Sequence, residues 1–259
     1  MIFIKTEEEV EMCRQSNLLV SRTHAMLAQE IKSGITTLFL DKLAEEFIRD
    51  NGGVPGFLNY NGFPNSLCIS VNDVVVHGIP STYVLRDGDI VSVDCGAFLN
   101  GFHGDSSYTF EVGEVSSEIK DLLTCTKEAL YKGIEKAVVG YTIGDIGHAV
   151  QKHAEVHGYS VVRELVGHGI GKNLHEEPEV PNYGKKGKGV KLRERMVLAI
   201  EPMINMGKKD IYQTNDNWTI KTKDGKPSAH YEHTVVVKKD KADILSDFSL
   251  IEEVLRTKK

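Results

Sequence analysis

Two ten-residue segments, LRDGDIVSVD (Leu85 to Asp94) and LRERMVLAIE (Leu192 to Glu201), repeat one pattern at an offset of 107 residues, and each ends on a carboxylate. A second acid follows each of them: Asp105 after the turn Leu99-Asn100-Gly101, and Glu232 in the run HYEHTVVV. Acids on neighbouring strands can share one face, where like charges repel and raise one pKa unless a cation lies between them. Four such carboxylates in an apolar frame each need a partner worth several kcal/mol, and hard divalent cations are that partner. His168, flanked by glycines in VGHGIG, adds an imidazole, with glycine on both sides letting the backbone bend and the ring project. Asp94, Asp105, His168, Glu201 and Glu232 thus offer four oxygen ligands and one nitrogen. Such a set suits two cations about 3.5 to 4 Å apart, bridged by carboxylates and a water. Taken singly, each residue has a plainer reading, the acids as caps or turn formers and the histidine as a local hydrogen-bonding group. Their joint occurrence in a repeated frame favours the dinuclear site.

The elements that must position these residues also repeat. Gly34, Thr36 and Gly52 match Gly140, Thr142 and Gly158 at an offset of 106, and His77-Gly78-Ile79 echoes His168-Gly169-Ile170 at an offset of 91. The pattern predicts one catalytic domain over residues 1–259, built from two halves, about 7–112 and about 113–250, related by a pseudo-twofold axis. Ligand and metal sites favour such junctions. Helical spacing over 7–31 (Val10, Cys13, Asn17, Leu18, Val20, His24, Leu27, Ile31), with Thr6 and Glu9 as a capping box, predicts a first helix. A second runs from Thr37 to Asn51, closed by Gly52-Gly53. The second half predicts helices from Ser116 or Ser117 to Val139 and from Ile143 to His157. β-Branched runs predict strands at Ser66 to Val76, Asp89 to Phe98, Ser106 to Val112, Met196 to Ile204 and Ala229 to Val237. Short turns between strands favour antiparallel pairing with the helices gathered on one face, an α+β fold.

Composition narrows the function classes. With 41% apolar and 26% charged residues and only seven prolines, the chain carries no signature of disorder, and a compact soluble globule is expected. A net charge of −6 argues against nucleic-acid binding over the whole surface while permitting a local basic patch. No apolar run approaches a membrane span, and MIFIKTEEEVEMCR lacks the basic and apolar regions of an export signal. Four cysteines, at 13, 68, 95 and 125, form no CxxC pair and no zinc spacing, so reduced thiols in a cytoplasmic protein are expected. No long amphipathic segment is left over, which predicts a monomer.

The other histidines divide. His77 in VVHGIP and His175 in LHEEP lie close to the ligand-bearing segments and read as functional without being ligands. His153 and His157 stand at i and i+4, a spacing that can hold zinc, but HExxH chemistry would need a glutamate after the first, and an exposed polar helix face is favoured. His24, His103, His148, His230 and His233 are structural by default.

On these residues the chain resembles the methionine aminopeptidases of the short bacterial type, from about residue 3 to residue 250. VHGIP around His77, GFHGDSS with Asp105, GHGIG with His168, HEEP after His175, Glu201-Pro202 and YEHT around Glu232 carry the likeness. It implies the pita-bread fold, with a central, largely antiparallel curved sheet and helices on its outer face. By resemblance, Asp94 binds one metal, His168 and Glu201 bind the other, and Asp105 and Glu232 bridge both. The chain lacks the long N-terminal extension of the eukaryotic type I enzymes and the insertion of the type II class between His175 and Glu201. The implied reaction is hydrolysis of the first peptide bond of an N-terminal methionyl peptide or nascent chain, favouring a small second residue. Metal binding lowers the pKa of water from 15.7 to about 7. Glu201 would take the proton from the nucleophile and pass it to the leaving amine, His175 would stabilise the oxyanion, and His77 would contact the peptide nitrogen. The two divalent ions could be Co, Mn, Fe or Zn.

The same resemblance builds the methionine pocket from Phe57, Tyr60, Phe63, Cys68, Leu174 and Trp218, although Phe57, Phe63 and Leu174 read equally well as core. Asn61 stands where a histidine often follows the pocket tyrosine, and Leu174 where an aromatic often precedes His175. Lys208, Lys209, Lys221, Lys223 and Lys226 read as a solvated loop, and by resemblance as a ribosome-contacting one. Two competitors stand beside this reading: a proline-specific sibling on the same fold, which usually carries a large extra N-terminal domain, and a catalytically dead module that binds protein or RNA. Retention of all five ligand candidates speaks against the second.

Overall fold

The computed structural model describes residues 1–258. Its helices come as two matched pairs and a terminal fifth. Helix α1 (Glu7–Glu30) opens on the expected capping box, in which the Glu9 amide donates to Thr6 Oγ1 (3.2 Å) and the Thr6 amide to Glu9 Oε2 (3.0 Å). Its buried face holds Val10, Cys13, Asn17, Val20, His24 and Leu27 as the spacing predicts, but Leu18 faces solvent and Leu19 takes the core position. Helix α2 (Thr37–Asp50) starts at Thr36, and its second-half counterpart α4 (Ile143–Val156) starts at Thr142, both 14 residues long. Each N-terminal Thr pairs with an equivalent partner, Thr36 with Val84 and Thr142 with Lys191, so the repeat extends to backbone contacts. Helix α3 (Ser117–Ile134) ends five residues before the expected Val139. There the chain tightens through Lys136 N–Gly133 O and Ala137 N–Ile134 O bonds, and Val138 leaves to pair with Lys238. Helix α5 (Ser249–Thr257) packs on α1.

The strands of the first half are β1 (Val54–Pro55), β2 (Leu67–Val71), β3 (Val74–Val76), β4 (Ile90–Leu99) and β5 (Phe102–Glu111). The second half contributes β6 (Ser160–Val161), β7 (Val166–Gly169), β8 (Glu176–Pro181), β9 (Val197–Ile200) and β10 (Met203–Asn205). It continues with β11 (Ile211–Gln213), β12 (Ile220–Thr222), β13 (Ser228–His230), β14 (His233–Val236) and β15 (Asp243–Ile244). Every pairing between these strands is antiparallel, as the short connections predict. One sheet centres on β4, flanked by β2 and β5, and a five-stranded sheet runs β15-β14-β9-β7-β8. The lysine-rich stretch differs from a bare loop, because β11 and β12 form a hairpin that pairs with β3.

The two halves are joined along β5. Ser107 bridges Glu232, the Ser106 hydroxyl donates to Glu232 O (2.8 Å), the Thr234 hydroxyl to Asp105 O (2.8 Å) and the Thr109 hydroxyl to His230 O (2.7 Å). These buried hydroxyls replace side chains that could only pack, and they hold the acid-bearing strands in one register. The main apolar cluster draws on both halves, while a smaller one (Phe57, Phe63, Cys68, Leu174, with Trp218 and Tyr60 at its edge) lies apart. Among the described residues no helix is long and apolar enough to cross a membrane.

Candidate active site

Asp94 and Asp105 sit inside the β4–β5 hairpin rather than at its ends. The strand runs on to Leu99 and turns through Asn100 (φ 53°) and Gly101 (φ 85°), a two-residue turn that matches strand twist. Asp94 lies opposite Ser107 and Asp105 opposite Gly96, so the two acids are diagonal neighbours on one face. Helix α1 holds this hairpin from behind. Asn17 is fully buried, donates to Cys13 O (2.8 Å) and accepts the amide of Asp105 (3.2 Å). A Cβ at Gly104 would stand 2.5 Å from the Asn17 amide nitrogen, so only glycine lets α1 come this close.

The second half brings its acids by another route. β9 and β14 pair with His233 opposite Ile200, and Glu201 and Glu232 leave the ends of those strands side by side. His168 comes from β7, next to β9, where it pairs with Ala199. Its flanking glycines meet neighbouring backbone: a Cβ on Gly167 would lie 2.3 Å from Ala199 O, and one on Gly169 would lie 2.3 Å from Glu177 O. Neither has positive φ, so the glycines serve close strand approach and not the bend expected from the sequence.

These segments converge. His168 Nδ1 donates to Gly169 O (2.9 Å), which leaves the Nε2 lone pair facing Asp105 Oδ2 (3.8 Å) and Glu201 Oε1 (3.7 Å). A donor atom from each of Asp105, His168 and Glu232 lies within 4.8 Å of the others. Asp105, His168 and Glu232 are buried, while Asp94 and Glu201 are partly open to the cavity. Asp94 Oδ1, Asp105 Oδ1 and Glu232 Oε1 are buried without any hydrogen-bond partner. Without cations such crowding forces protons on. Burial, opposed by His230 and reinforced by Glu201, raises Asp94 to about 7, and burial raises Glu201 to about 8. Burial followed by the neighbouring acids holds Asp105 and Glu232 well above the carboxylate range. Burial depresses His168 to about 3, so its imidazole is neutral and a competent ligand. Orphaned acid oxygens facing an imidazole lone pair fit hard or borderline divalent cations.

All thirteen residues expected from the sequence line a single cavity of about 130 Å³, together with Asn61. Phe57 rests its ring on Gly96, where a Cβ would stand 2.5 Å from the ring. Phe63 and Trp218 meet edge to face with centroids 5.1 Å apart. Trp218 is delivered by the loop between β11 and β12, where Asp216 accepts the Trp218 amide (2.9 Å) and both the amide (2.8 Å) and hydroxyl (2.7 Å) of Thr219. Asn61 adopts φ 50°, a left-handed conformation that Asn tolerates better than most residues. His175 stands at the rim, its Nδ1 2.9 Å from the Tyr60 hydroxyl, while the next residue, Glu176, forms a buried ion pair with Lys5 (2.5 Å). His77 adopts φ 58° beside Trp218, a left-handed conformation uncommon outside glycine. A wider cleft of about 530 Å³ opens on the other side of His77, His168, His175 and Glu201 and is bordered by Glu176, Glu177 and Glu179.

His230 is the residue that sequence reasoning left out. It is 1% exposed, its Nε2 lies 3.5 Å from Glu201 Oε2, and that nitrogen has no hydrogen-bond partner. The spacing carried a signal, since strand residues two apart share a face and His230 precedes Glu232 by two. His24 and His233 match their structural assignment, bonding Ser106 O (2.9 Å) and Ser246 Oγ (2.7 Å).

Residues 11–239 match the model of metallopeptidase family M24. The methionine aminopeptidase of Clostridium perfringens is 50% identical over 246 residues, covering 95% of this chain and 99% of that protein. Methionine aminopeptidase 1 of Bacillus subtilis is 49% identical over 246 residues, again covering 95% and 99%. The crystal structure of methionine aminopeptidase from Rickettsia prowazekii superposes with a TM-score of 0.94 at 42% identity, covering 95% of this chain and all of that one. These likenesses make the architecture the pita-bread fold and set aside the proline-specific and catalytically dead alternatives. The chain belongs to the M24 metallopeptidases and, within them, to the methionine aminopeptidases, divalent-metal hydrolases that remove the N-terminal methionine of a peptide.

Proposed function

We propose that Asp94, Asp105, His168, Glu201 and Glu232 hold two divalent cations and that Glu201, His175 and His77 act on the peptide beside them. The observation that carries this reading is the set of three buried carboxylate oxygens without partners, from acids that line one cavity with a neutral imidazole. Bound cations supply the positive charge that lets these acids ionise together, polarise the peptide carbonyl and acidify water.

The residues themselves divide the remaining work. The 130 Å³ cavity, with Phe57, Phe63, Leu174 and Trp218 on its walls, suits a single unbranched thioether side chain. The wider cleft takes the rest of the chain, and His77 and His175, which border both spaces, flank the first peptide bond. When the Tyr60 hydroxyl donates to His175 Nδ1, His175 Nε2 carries the proton and can donate to the oxyanion. Glu201 accepts a proton from water and returns it to the leaving amine, with His230 orienting its second oxygen. The second residue would lie beside His77 and His175, which border both spaces, and a small side chain there is the preference this reading expects.

The test is metal analysis alongside hydrolysis of Met-Ala-Ser and X-Pro peptides by the parent and by Asp105→Asn. The reading expects two equivalents of metal in the parent, cleavage of Met-Ala-Ser alone, and loss of both metal and cleavage in the variant. Full metal content in Asp105→Asn would overturn the ligand assignment. We further propose a cytoplasmic monomer that meets nascent chains at the ribosome through the β11–β12 region. Lys209 and Lys221 there are paired with Asp210 (2.9 Å) and Asp73 (2.8 Å), which leaves Lys208, Lys223 and Lys226 as the residues whose charge reversal should weaken cosedimentation with ribosomes.

A further inference from the structure

The two helical histidines that sequence reasoning placed on an exposed polar face are joined in the fold by a cysteine from another helix. Cys125 lies on α3 and is 3% exposed, His153 is half-buried on α4, and His157 follows at the end of α4. A donor atom from each of the three lies within 4.8 Å of the others, and none of them borders the peptidase cavity. Both rings are already held as ligating imidazoles are. His157 Nδ1 donates to His153 O (2.8 Å), leaving its Nε2 with the lone pair. His153 Nε2 lies 3.0 Å from Glu128 Oε2, which leaves Nδ1 as the free donor when the ring is neutral. A carboxylate or carbonyl on the second nitrogen of each ring is the usual support of a metal-binding histidine.

We propose that Cys125, His153 and His157 form a second metal site, separate from the peptidase centre, which takes a borderline-soft divalent cation such as zinc and ties α3 to α4. Tetrahedral zinc bonds of about 2.0 to 2.3 Å place donors roughly 3.3 to 3.6 Å apart. The 4.8 Å limit exceeds that spacing by about 1.2 to 1.5 Å, which is the most that any pair of these donors has to close. The fourth position falls to solvent. His153 and His157 also border a solvent-open cleft of about 360 Å³, so both rings can be reached from solvent.

Cobalt separates this site from the peptidase centre, because the ligands proposed there include no sulfur. Metal-free protein titrated with Co²⁺ should develop the near-ultraviolet absorption of a thiolate–cobalt bond. That band should disappear in Cys125→Ser and persist in Cys68→Ser, whose sulfur lines the peptidase cavity. Because Cys125 is buried and its variant could unfold, His157→Gln, at an exposed position, provides the second arm and should weaken cobalt binding at this site by about 10- to 100-fold. Met-Ala-Ser hydrolysis should be unchanged in His157→Gln. A parent protein without the band, a band that survives Cys125→Ser, or undiminished affinity in His157→Gln would each overturn the proposal.

Discussion

The two acid pairs reach the same cavity by different routes. Asp94 and Asp105 belong to one continuous hairpin of two ten-residue strands, with a two-residue turn between them. Glu201 and Glu232 sit beyond the ends of strands whose connection contains β10 to β13 and brings Trp218 into the pocket. The first pair is local, and its register follows from one turn and one helix packed behind it. The second pair is assembled at long range and depends on β5, whose Ser106 and Thr109 hydroxyls hold the backbone of Glu232 and His230. The two copies of the repeated sequence pattern thus bring their acids to one cavity although the first joins them by a two-residue turn and the second carries β10 to β13 between them.

The largest effects should be catalytic and should fall equally on both halves. Glu201→Gln is expected to lower kcat by about 10²- to 10⁴-fold on Met-Ala-Ser. Asp105→Asn and Glu232→Gln should match each other in lost metal, as measured by elemental analysis after gel filtration. Retention of metal by one and not the other would break the equivalence of the two pairs.

Close backbone approach offers the next comparison. Gly104→Ala drives a Cβ toward α1 in the first half, and Gly167→Ala drives one toward β9 in the second. Each should destabilise the protein by about 1 to 3 kcal/mol in urea unfolding. Gly104 adjoins Asp105 and Gly167 adjoins His168, so both variants should also reduce metal affinity, and unchanged metal binding by either would show that its glycine serves packing alone.

A pH test addresses the acids of both halves together. In chelated protein Asp94 at about 7 and Glu201 at about 8 lie above their ordinary values, so the folded state binds more protons than the unfolded chain. Their contribution is present at low pH and is lost as pH rises through those values. The desolvated histidines, half-buried His77 and buried His24 at about 4 and buried His168 at about 3, act in the opposite direction and oppose folding below about 6.5. The Tm of chelated protein should therefore fall between pH 6.5 and 8, and saturating metal should reverse the slope. A flat profile in chelator would show that the acids are not buried together. The smallest effect is expected at Gly101→Ala, where φ of 85° costs about 1 kcal/mol of stability and leaves hydrolysis unchanged.

Much of the site was legible because its signals are local and repeated. The capping box at Thr6, the glycines after helices and the Asn100-Gly101 turn follow from backbone chemistry that acts within a few residues. The offset of 107 residues between Asp94 and Glu201 marked two acids that line one cavity, because two copies of one strand pattern put their last residues in equivalent places. Leu18 and Leu19 show the limit of periodicity, since neighbouring apolar residues on a helix differ in direction by only about 100° and packing chooses between them. The early end of α3 was hidden because Val138 is drawn to Lys238, a partner 100 residues away.

By itself, then, the sequence determined the two helix pairs, the turns, the strands that carry or adjoin the acids and the identity of those acids, since each depends on short-range geometry or on a pattern stated twice. Tertiary structure alone decided which oxygens remain without partners, that His230 faces Glu201, that the glycines around His168 make room for strands, and that Cys125 meets His153 and His157. The reason is physical: desolvation and close packing are set by atoms from segments far apart in the chain, and no local pattern records which of them will be neighbours.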